Sequence, residues 1–422
     1  MPEAVKLTDK DRSDAALKLI HGVRLDETMI RAHVMRPENV LGVRSDQGRD
    51  DERVPDVIGG PPVVHPGYAL DVPGFVAAIE AQLNGCVAGY AMRLNENGAP
   101  IATLEWGSAK EPQDGGEGWT TDTRQHVASL SKQPTAIAMT RLLAEKGLYP
   151  ETTIIDYLPD YWVKGPNVEQ ITFARLLTHT SGLNYGAPAG GPSDYESMKA
   201  AIAAGTTHLG DFWYQNMNFG LCRILISTIN GNIPPSAIWN GVLSLVNDTF
   251  WDLATVSAYQ NYVHANVFAP SGVTDPTLAH ETNDALAYNF PVSGNGWNSG
   301  DLTTMAGGTG WHMTVDDVLK VMGTFRRAGT IVSPAQAQTM LEDSFGIDWI
   351  TPTQLGTFYA KVGGWGAATA KLEQGVLFYL PQNMELVVLV NSPIGPPYPE
   401  SLFAVVSYAY TSNIVLVPPI PR

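Results

Sequence analysis

Apolar residues recur with a helical period at Val72, Phe75, Val76, Ile79 and Leu83, which predicts a helix from Val72 to Leu83. Two short apolar runs follow, Val87 to Leu94 and Pro100 to Trp106, and they flank Asn95-Glu96-Asn97-Gly98. Asn-Gly between two β-type runs predicts a hairpin. A second helical run covers Ala136 to Glu145, and Pro134 fits its first turn, where the missing N–H costs nothing. Thr152 to Leu158 reads as a short segment held against that helix. Thr172 is placed to cap a helix over Phe173 to Leu177, with Gly182 ending it in a left-handed conformation. Tyr185 to Ser197 reads as a Gly/Pro-rich loop, Phe219 to Thr228 as a buried helix, and Trp239 to Phe268 as helix mixed with loops. Asn283 to Gly310 is polar, Gly-rich and aromatic. A loop of that length is suited to roofing a cleft.

Helical signals return at Thr314, with Asp317 three residues on, and at Ser333-Pro334-Ala335-Gln336. The latter joins a cap serine, a proline at the first helical position and a glutamine three residues later. The pattern then changes to strands: Gly356 to Val362, Gly375 to Leu380 and Met384 to Val390, before a closing helix from Leu402 to Tyr410. Strands near both ends with helices between them predict an α/β fold of the α+β type. Its antiparallel sheet is built from N- and C-terminal strands flanked by helices, and the inserted domain is mostly helical. The expected organisation is a polar extension over 1–70, a sheet domain from 71–135 and 345–422, and a helical domain over 136–344, with the site between them. The extension carries one candidate short helix, Ala15 to Ile20, and an acidic tract around Arg49 to Asp56.

Composition narrows the function classes. The 422 residues include 26 basic and 42 acidic side chains, a formal net charge of −16, which repels nucleic acid and anionic membrane. Two cysteines, Cys86 and Cys222, make neither a disulfide scaffold nor a zinc cluster and read as buried thiols. No apolar run approaches the roughly 20 residues of a membrane span. No signal peptide is visible at the N-terminus, so the expected location is cytoplasmic. The expected partner is a small molecule, with no cofactor and no metal; a homo-oligomer stays open.

The chemistry begins at Ala128-Ser129-Leu130-Ser131-Lys132. An S-x-x-K pair at the mouth of a helix puts an amine one turn from a hydroxyl, where it can take the proton that keeps serine a poor nucleophile. The helix N-terminus also favours developing negative charge. Two further pieces can complete a cleft: Tyr214-Gln215-Asn216, and Lys361-Val362-Gly363-Gly364. Two routes for the proton follow. Ammonium groups of Lys132 and Lys361 can stabilise a Tyr214 phenolate base, or a neutral Lys132 can deprotonate Ser129 while Tyr214 protonates the leaving group. Asn216 is suited to holding Lys132 or a substrate amide. The N–H groups of Ser129 and a glycine-strand residue are suited to an oxyanion, and glycine at 363 and 364 admits substrate to the strand edge. His179 reads as a structural hydrogen-bonding residue, His312 as a loop or core residue, and Asp316 and Asp317 as first-turn acids. His126 lies near Ser129 in sequence, but Lys132 and Tyr214 already supply a proton path.

These motifs resemble the serine β-lactamase and penicillin-binding-protein superfamily, in its class C β-lactamase, DD-peptidase and family VIII carboxylesterase branch. The resemblance runs from about Phe75 to the C-terminus. It implies Ser129 as acylated nucleophile, Lys132 as its partner and Tyr214 as general base or acid, with Lys361-Val362-Gly363 matching K-T-G. It also places Gly364 where the second oxyanion N–H is usually supplied. Tyr157-Leu158-Pro159, Leu176 to Leu183 and Gly308 to Asp317 are family-like landmarks of structural kind. Val362 stands where the family has threonine, and Gly364 where it has a hydroxyl-bearing residue. Both losses imply weaker carboxylate recognition, although Lys361 keeps a weakly anionic substrate open. Trp365, Trp213 and the region of Trp297 suggest an aromatic-lined acyl site. The implied activity is ester hydrolysis through an acyl-enzyme. β-Lactamase, D-amino-acid amidase or DD-peptidase activity and acyl transfer to an alcohol or amine are the alternatives.

Overall fold

The structure is a computed structural model that describes residues 67–238, 244–366, 370–396 and 401–417. The candidate helix at Ala15 to Ile20 and the acidic tract fall outside the described residues. Strand β1 (Tyr68–Leu70) opens the described chain, so an element of the folded body lies inside the segment read as a polar extension. Helix α1 (Val72–Leu83) follows, with the Asp71 carboxylate accepting the Gly74 N–H at 3.2 Å. The predicted hairpin is β2 (Gly89–Glu96) and β3 (Ala99–Lys110). Asn97 and Gly98 take φ of 53° and 83°, the positive values that an Asn-Gly turn supplies.

After β4 (Glu117–Gly118) and β5 (Gln125–His126), a 3-10 turn over Ala128–Ser131 runs into α2 (Lys132–Glu145). Helices α3 (Phe173–Leu177), α4 (Tyr195–Ala204), α5 (Asn216–Ile229) and α6 (Ser244–Val263) come next. Strand β6 (His312–Met313), α7 (Val315–Gly323) and α8 (Pro334–Glu342) lead back to the sheet. Both predicted starts are full capping boxes, Thr314 with Asp317 and Ser333 with Gln336. The chain closes with β7 (Trp349–Thr353), β8 (Gly356–Gly366), β9 (Leu372–Leu380), β10 (Met384–Val390), α9 (Leu402–Ser412) and β11 (Ile414–Leu416).

Seven strands form one antiparallel sheet in the order β4-β3-β2-β10-β9-β8-β7. The two ends of the chain meet at its centre, where Leu94 lies opposite Leu386. That is the predicted α/β architecture. Along β9, Val376 and Phe378 join an outer cluster with Phe75 and Ile79 of α1 and Tyr410 of α9. Leu377 and Tyr379 face an inner cluster with Ile137 and Leu142 of α2 and Leu225 of α5. A sheet covered on both faces explains the unbroken apolar runs of β9 and β10. Helix α5 is buried along its whole length. Its Arg223 meets Asp252 at 2.8 Å and donates to the Thr304 carbonyl at 3.0 Å.

Four expectations need correction. The glycines after Val362 do not end β8, because the strand continues paired with β9 to Gly366. Helix α3 ends at Leu177 as expected, but the left-handed residue that closes it is His179, with φ 57°. Gly182 is left-handed too, with φ 72°, and it serves close packing, since a Cβ there would lie 2.3 Å from Thr206 Oγ1. The loop before α4 ends at Asp194, which accepts the Ser197 N–H at 3.0 Å. Cys222 is buried as expected, but Cys86 is only half-buried.

Gly363 has a structural task of its own. A Cβ at 363 would lie 2.6 Å from the Val127 carbonyl oxygen and 2.7 Å from Leu130 Cδ1, so β8 crosses directly against the 3-10 turn. Substrate access is not what requires glycine at this position. Gly363→Ala is expected to lower stability by about 1–3 kcal/mol through overpacking. A Cβ at Gly364 meets only Leu372 Cδ1, at 3.9 Å, so Gly364→Ala should melt with the parent. Thermal denaturation of both variants checks this, and equal losses at the two positions would refute it.

Candidate active site

The approach to Ser129 is constrained on both sides. Val127 donates its N–H to the Trp311 carbonyl at 2.9 Å, and Trp311 donates its own N–H to Ser131 Oγ at 3.1 Å. Between them the fully buried Ala128 has φ 49°, a left-handed conformation that costs about 1–3 kcal/mol for a residue with a Cβ. Ser129 follows in the 3-10 turn, and Lys132 opens α2.

Three separated segments then converge on one ammonium position. Lys132 Nζ lies 3.0 Å from Ser129 Oγ, 2.7 Å from Asn216 Oδ1 and 2.7 Å from the Gly308 carbonyl oxygen. Asn216 uses its other end to donate to the Gly191 carbonyl at 3.0 Å, so both ends of its amide are engaged within the protein. The Tyr214 hydroxyl donates to Ser129 Oγ at 2.8 Å. Lys132 Nζ sits 5.0 Å and Lys361 Nζ 5.1 Å from the centre of the Tyr214 ring. Ser129 and Lys132 stand at the start of α2, and Tyr214 and Asn216 at the start of α5. Both helix N-termini therefore favour negative charge at Ser129.

Electrostatics separates the two proton routes. Burial, reinforced by the Lys361 charge, pushes the Lys132 pKa well below its ordinary value, with Asp348 opposing. A neutral amine fits the contacts: two N–H groups donate to Asn216 Oδ1 and Gly308 O, and the lone pair faces the Ser129 hydroxyl. Burial raises the Tyr214 pKa, outweighing the downward pull of Lys361. The phenolate route expected from two flanking ammonium groups is thus disfavoured. Lys361 is held charged: burial works against it, but Asp348 at 2.6 Å prevails and its pKa rises.

Asp348 was not singled out by motif. It lies beside Lys361 because the β7–β8 hairpin sets Trp349 opposite Ala360, a register that places position 348 across from 361. Its other carboxylate oxygen accepts the Val362 N–H at 3.0 Å. Antiparallel N–H groups alternate between strand edges, so the Gly364 N–H leaves β8 on the same edge as that of Val362. The Val362 side chain packs against the outer cluster, on the opposite face from Lys361 and Gly363. Its replacement of threonine is therefore a matter of outer packing here.

The aromatic residues each have a local partner. Trp365 meets His126 edge-on, with ring centres 5.7 Å apart. Trp213 packs on Tyr185 at 5.1 Å and donates its indole N–H to the Ala187 carbonyl at 3.0 Å. Trp297 bridges Ala287 through its backbone. His179 stacks on Tyr214 at 4.2 Å, and its Nδ1 accepts the Gln215 N–H at 3.4 Å, so it shapes the Tyr214 segment as expected. His126 engages Glu373 at 2.8 Å and Thr309 Oγ1 at 2.9 Å. Burial lowers the His126 pKa and raises that of Glu373, so it favours the neutral form of each.

An antiparallel sheet with a helical layer, and a serine hydroxyl between a buried lysine and a tyrosine, define the β-lactamase-fold hydrolase class. The family model described as Beta-lactamase matches residues 75–408, and the chain belongs to that family. No curated protein matches the sequence. Among solved structures, the octameric penicillin-binding protein homologue from Pyrococcus abyssi is 18% identical, with TM-score 0.60 over 81% of this chain and 77% of that one. The D-amino acid amidase from Ochrobactrum anthropi SV3, complexed with L-phenylalanine amide, is 16% identical, with TM-score 0.57 over 80% and 96%. EstCE1, a hydrolase with promiscuous acyltransferase activity, is 16% identical, with TM-score 0.58 over 80% and 99%. At such identities the likeness is one of fold. Among the described residues no helix is long and apolar enough to cross a membrane.

The charge arrangement makes a signed prediction. Lys361→Met removes the cation that depresses Lys132 and leaves Asp348 to raise it, so the acidic limb of Ser129 labelling by a fluorophosphonate should move to higher pH. Lys361→Arg keeps the charge and should keep the limb. Tyr214→Phe should slow labelling roughly 10²-fold or more yet retain the limb. Its disappearance in Tyr214→Phe would assign that titration to the tyrosine.

Proposed function

We propose that the protein is a serine hydrolase that cleaves small, uncharged carboxylic esters through an acyl-enzyme on Ser129. In acylation the Ser129 proton passes to neutral Lys132 as Oγ attacks the carbonyl carbon. The N–H groups of Ser129 and Gly364 receive the oxyanion, and Tyr214 delivers a proton to the departing alkoxide. The Lys132 ammonium returns its proton to Tyr214, and water then attacks the acyl-enzyme, its proton passing through neutral Lys132 to Ser129 Oγ as the acid leaves.

The observation that carries the ester preference is the Lys361–Asp348 pair at 2.6 Å. With the Lys361 charge matched and Lys132 neutral, neither lysine offers an uncompensated cation to a substrate carboxylate. Gly364 adds no hydroxyl donor for one. A β-lactam or a peptide C-terminus brings such a carboxylate; a simple ester does not. On this reading Lys361 no longer keeps a weakly anionic substrate open.

Short-chain p-nitrophenyl esters should therefore be hydrolysed with a far higher kcat/KM than nitrocefin. A fluorophosphonate should add one group per chain, at Ser129, and Ser129→Ala should abolish both labelling and turnover. A kcat/KM for nitrocefin equal to that for the butyrate ester would overturn the ester preference, while labelling at Ser131 or His126 would overturn the nucleophile. Including an amine acceptor in the ester assay separates hydrolysis from acyl transfer.

A further inference from the structure

Beyond His126 lies a group of side chains that the hydrolytic chemistry does not use. His280, Asp284 and His312 converge so that one ring nitrogen of each histidine and one carboxylate oxygen lie within 4.8 Å of one another. His312 is completely buried, and its Nδ1 is 3.0 Å from the Gly310 carbonyl oxygen. A carbonyl only accepts, so Nδ1 carries the proton and Nε2 presents a lone pair. That Nε2 has no hydrogen-bond partner among the described residues, and neither does His280 Nδ1. The nearest Asp284 oxygen stands 3.8 Å from His280 Nδ1, too far for a hydrogen bond.

The buried His312 ring, the half-buried His280 ring and the buried Asp284 carboxylate thus face one another without a hydrogen bond between them. The surrounding backbone is fixed. His312 donates its N–H to the Thr277 carbonyl at 2.8 Å, and His280 donates to the Gly300 carbonyl at 3.0 Å. Asp284 is oriented by Arg124 and by the Glu281 N–H at 2.9 Å. Arg124 is also paired with Glu281, so Arg124, Asp284 and Glu281 together carry one net negative charge.

We propose that His280, Asp284 and His312 form a binding site for a divalent transition-metal cation of the zinc type. Two neutral imidazole nitrogens and one carboxylate oxygen are a borderline donor set that suits Zn²⁺ and its analogue Co²⁺, whereas Mg²⁺ and Ca²⁺ prefer oxygen throughout. The Nδ1–H of His312 on a peptide carbonyl is the outer hydrogen bond that orients a metal-binding histidine. The cation would tie the 277–284 segment to β6. Because β6 follows closely on Gly308, whose carbonyl holds Lys132, the site is a structural clamp on the segment that supports the active centre.

The test uses the whole protein, freed of metal by chelation and then titrated with ZnCl2 and, separately, CoCl2. Wild type should bind one cation per chain by calorimetry, show the visible bands of tetrahedral Co²⁺, and melt higher with Zn²⁺ than without. His312→Gln and His280→Gln should each lose the bands and the zinc-induced rise in melting temperature. Half-buried His280 is the safer position should His312→Gln fail to fold. Absence of stoichiometric binding by wild type, or unchanged Co²⁺ bands in folded His280→Gln, would overturn the site. Neither result bears on Ser129 labelling, so the clamp and the hydrolase reading fail independently.

Discussion

Lys132 has no exposed surface, and its three hydrogen-bonding partners are a hydroxyl, an amide oxygen and a peptide carbonyl. None carries a negative charge. Burying an ammonium without a direct counter-ion costs several kcal/mol, more than the roughly 1 kcal/mol that an ordinary hydrogen bond returns. An ammonium could donate to all three partners, but burial without a counter-ion pulls the Lys132 pKa down towards the neutral amine, which is the form the proposed mechanism requires. The lysine is left without a carboxylate partner where three chain segments close around it. Any loosening of α2, α5 or the Gly308 segment admits water and restores the ammonium.

Lys361 is the control within the same site. It is as deeply buried as Lys132, yet its pKa moves the opposite way because Asp348 lies against it. One carboxylate separates a lysine whose pKa is raised from one whose pKa is lowered. The paired lysine then acts at a distance, helping to keep Lys132 deprotonated without becoming a free anion receptor. The positive ends of α2 and α5 add partial charges aimed at Ser129, each typically worth 0.3–1 kcal/mol for a nearby anion. They favour the developing oxyanion without adding a mobile cation.

What could be read from sequence was what is encoded locally. The Asn97-Gly98 turn, the caps at Thr314 and Ser333, the apolar face of α1 and the extent of β10 each depend on residues a few positions apart. The same holds for Ser129 and Lys132, one turn apart. Asp348 was invisible because its partnership depends on the register of a hairpin whose first strand, Trp349–Thr353, contains Pro352 and has little apolar pattern. β8 looked shorter than it is because glycines usually end strands, whereas Gly363 is required there by the turn crossing it. His179 in the left-handed region violates the local preference for glycine. Its hydrogen bond to Gln215 and its stacking on Tyr214 come from the tertiary fold, and no local pattern announces them.

The segment from Gly307 to His312 shows how the strained turn at Ala128 is held. A Cβ at Gly307 would lie 2.5 Å from the Phe219 carbonyl oxygen, and one at Gly308 would lie 2.8 Å from that of Asn216. Two glycines therefore let this segment lie against the first turns of α5. From there, each succeeding residue meets a different part of the site. Gly308 O faces Lys132, Thr309 Oγ1 meets His126, and the Trp311 backbone bonds Val127 and Ser131 on either side of Ala128 and Ser129. The left-handed Ala128 is thus clamped from both flanks. The Trp311 side chain is anchored in turn by its indole N–H on the Tyr259 hydroxyl at 3.1 Å. Strain at Ala128, the amine position of Lys132 and the packing of α5 are coupled through one short stretch of backbone. The Ser129 turn and Lys132 are consequently positioned together.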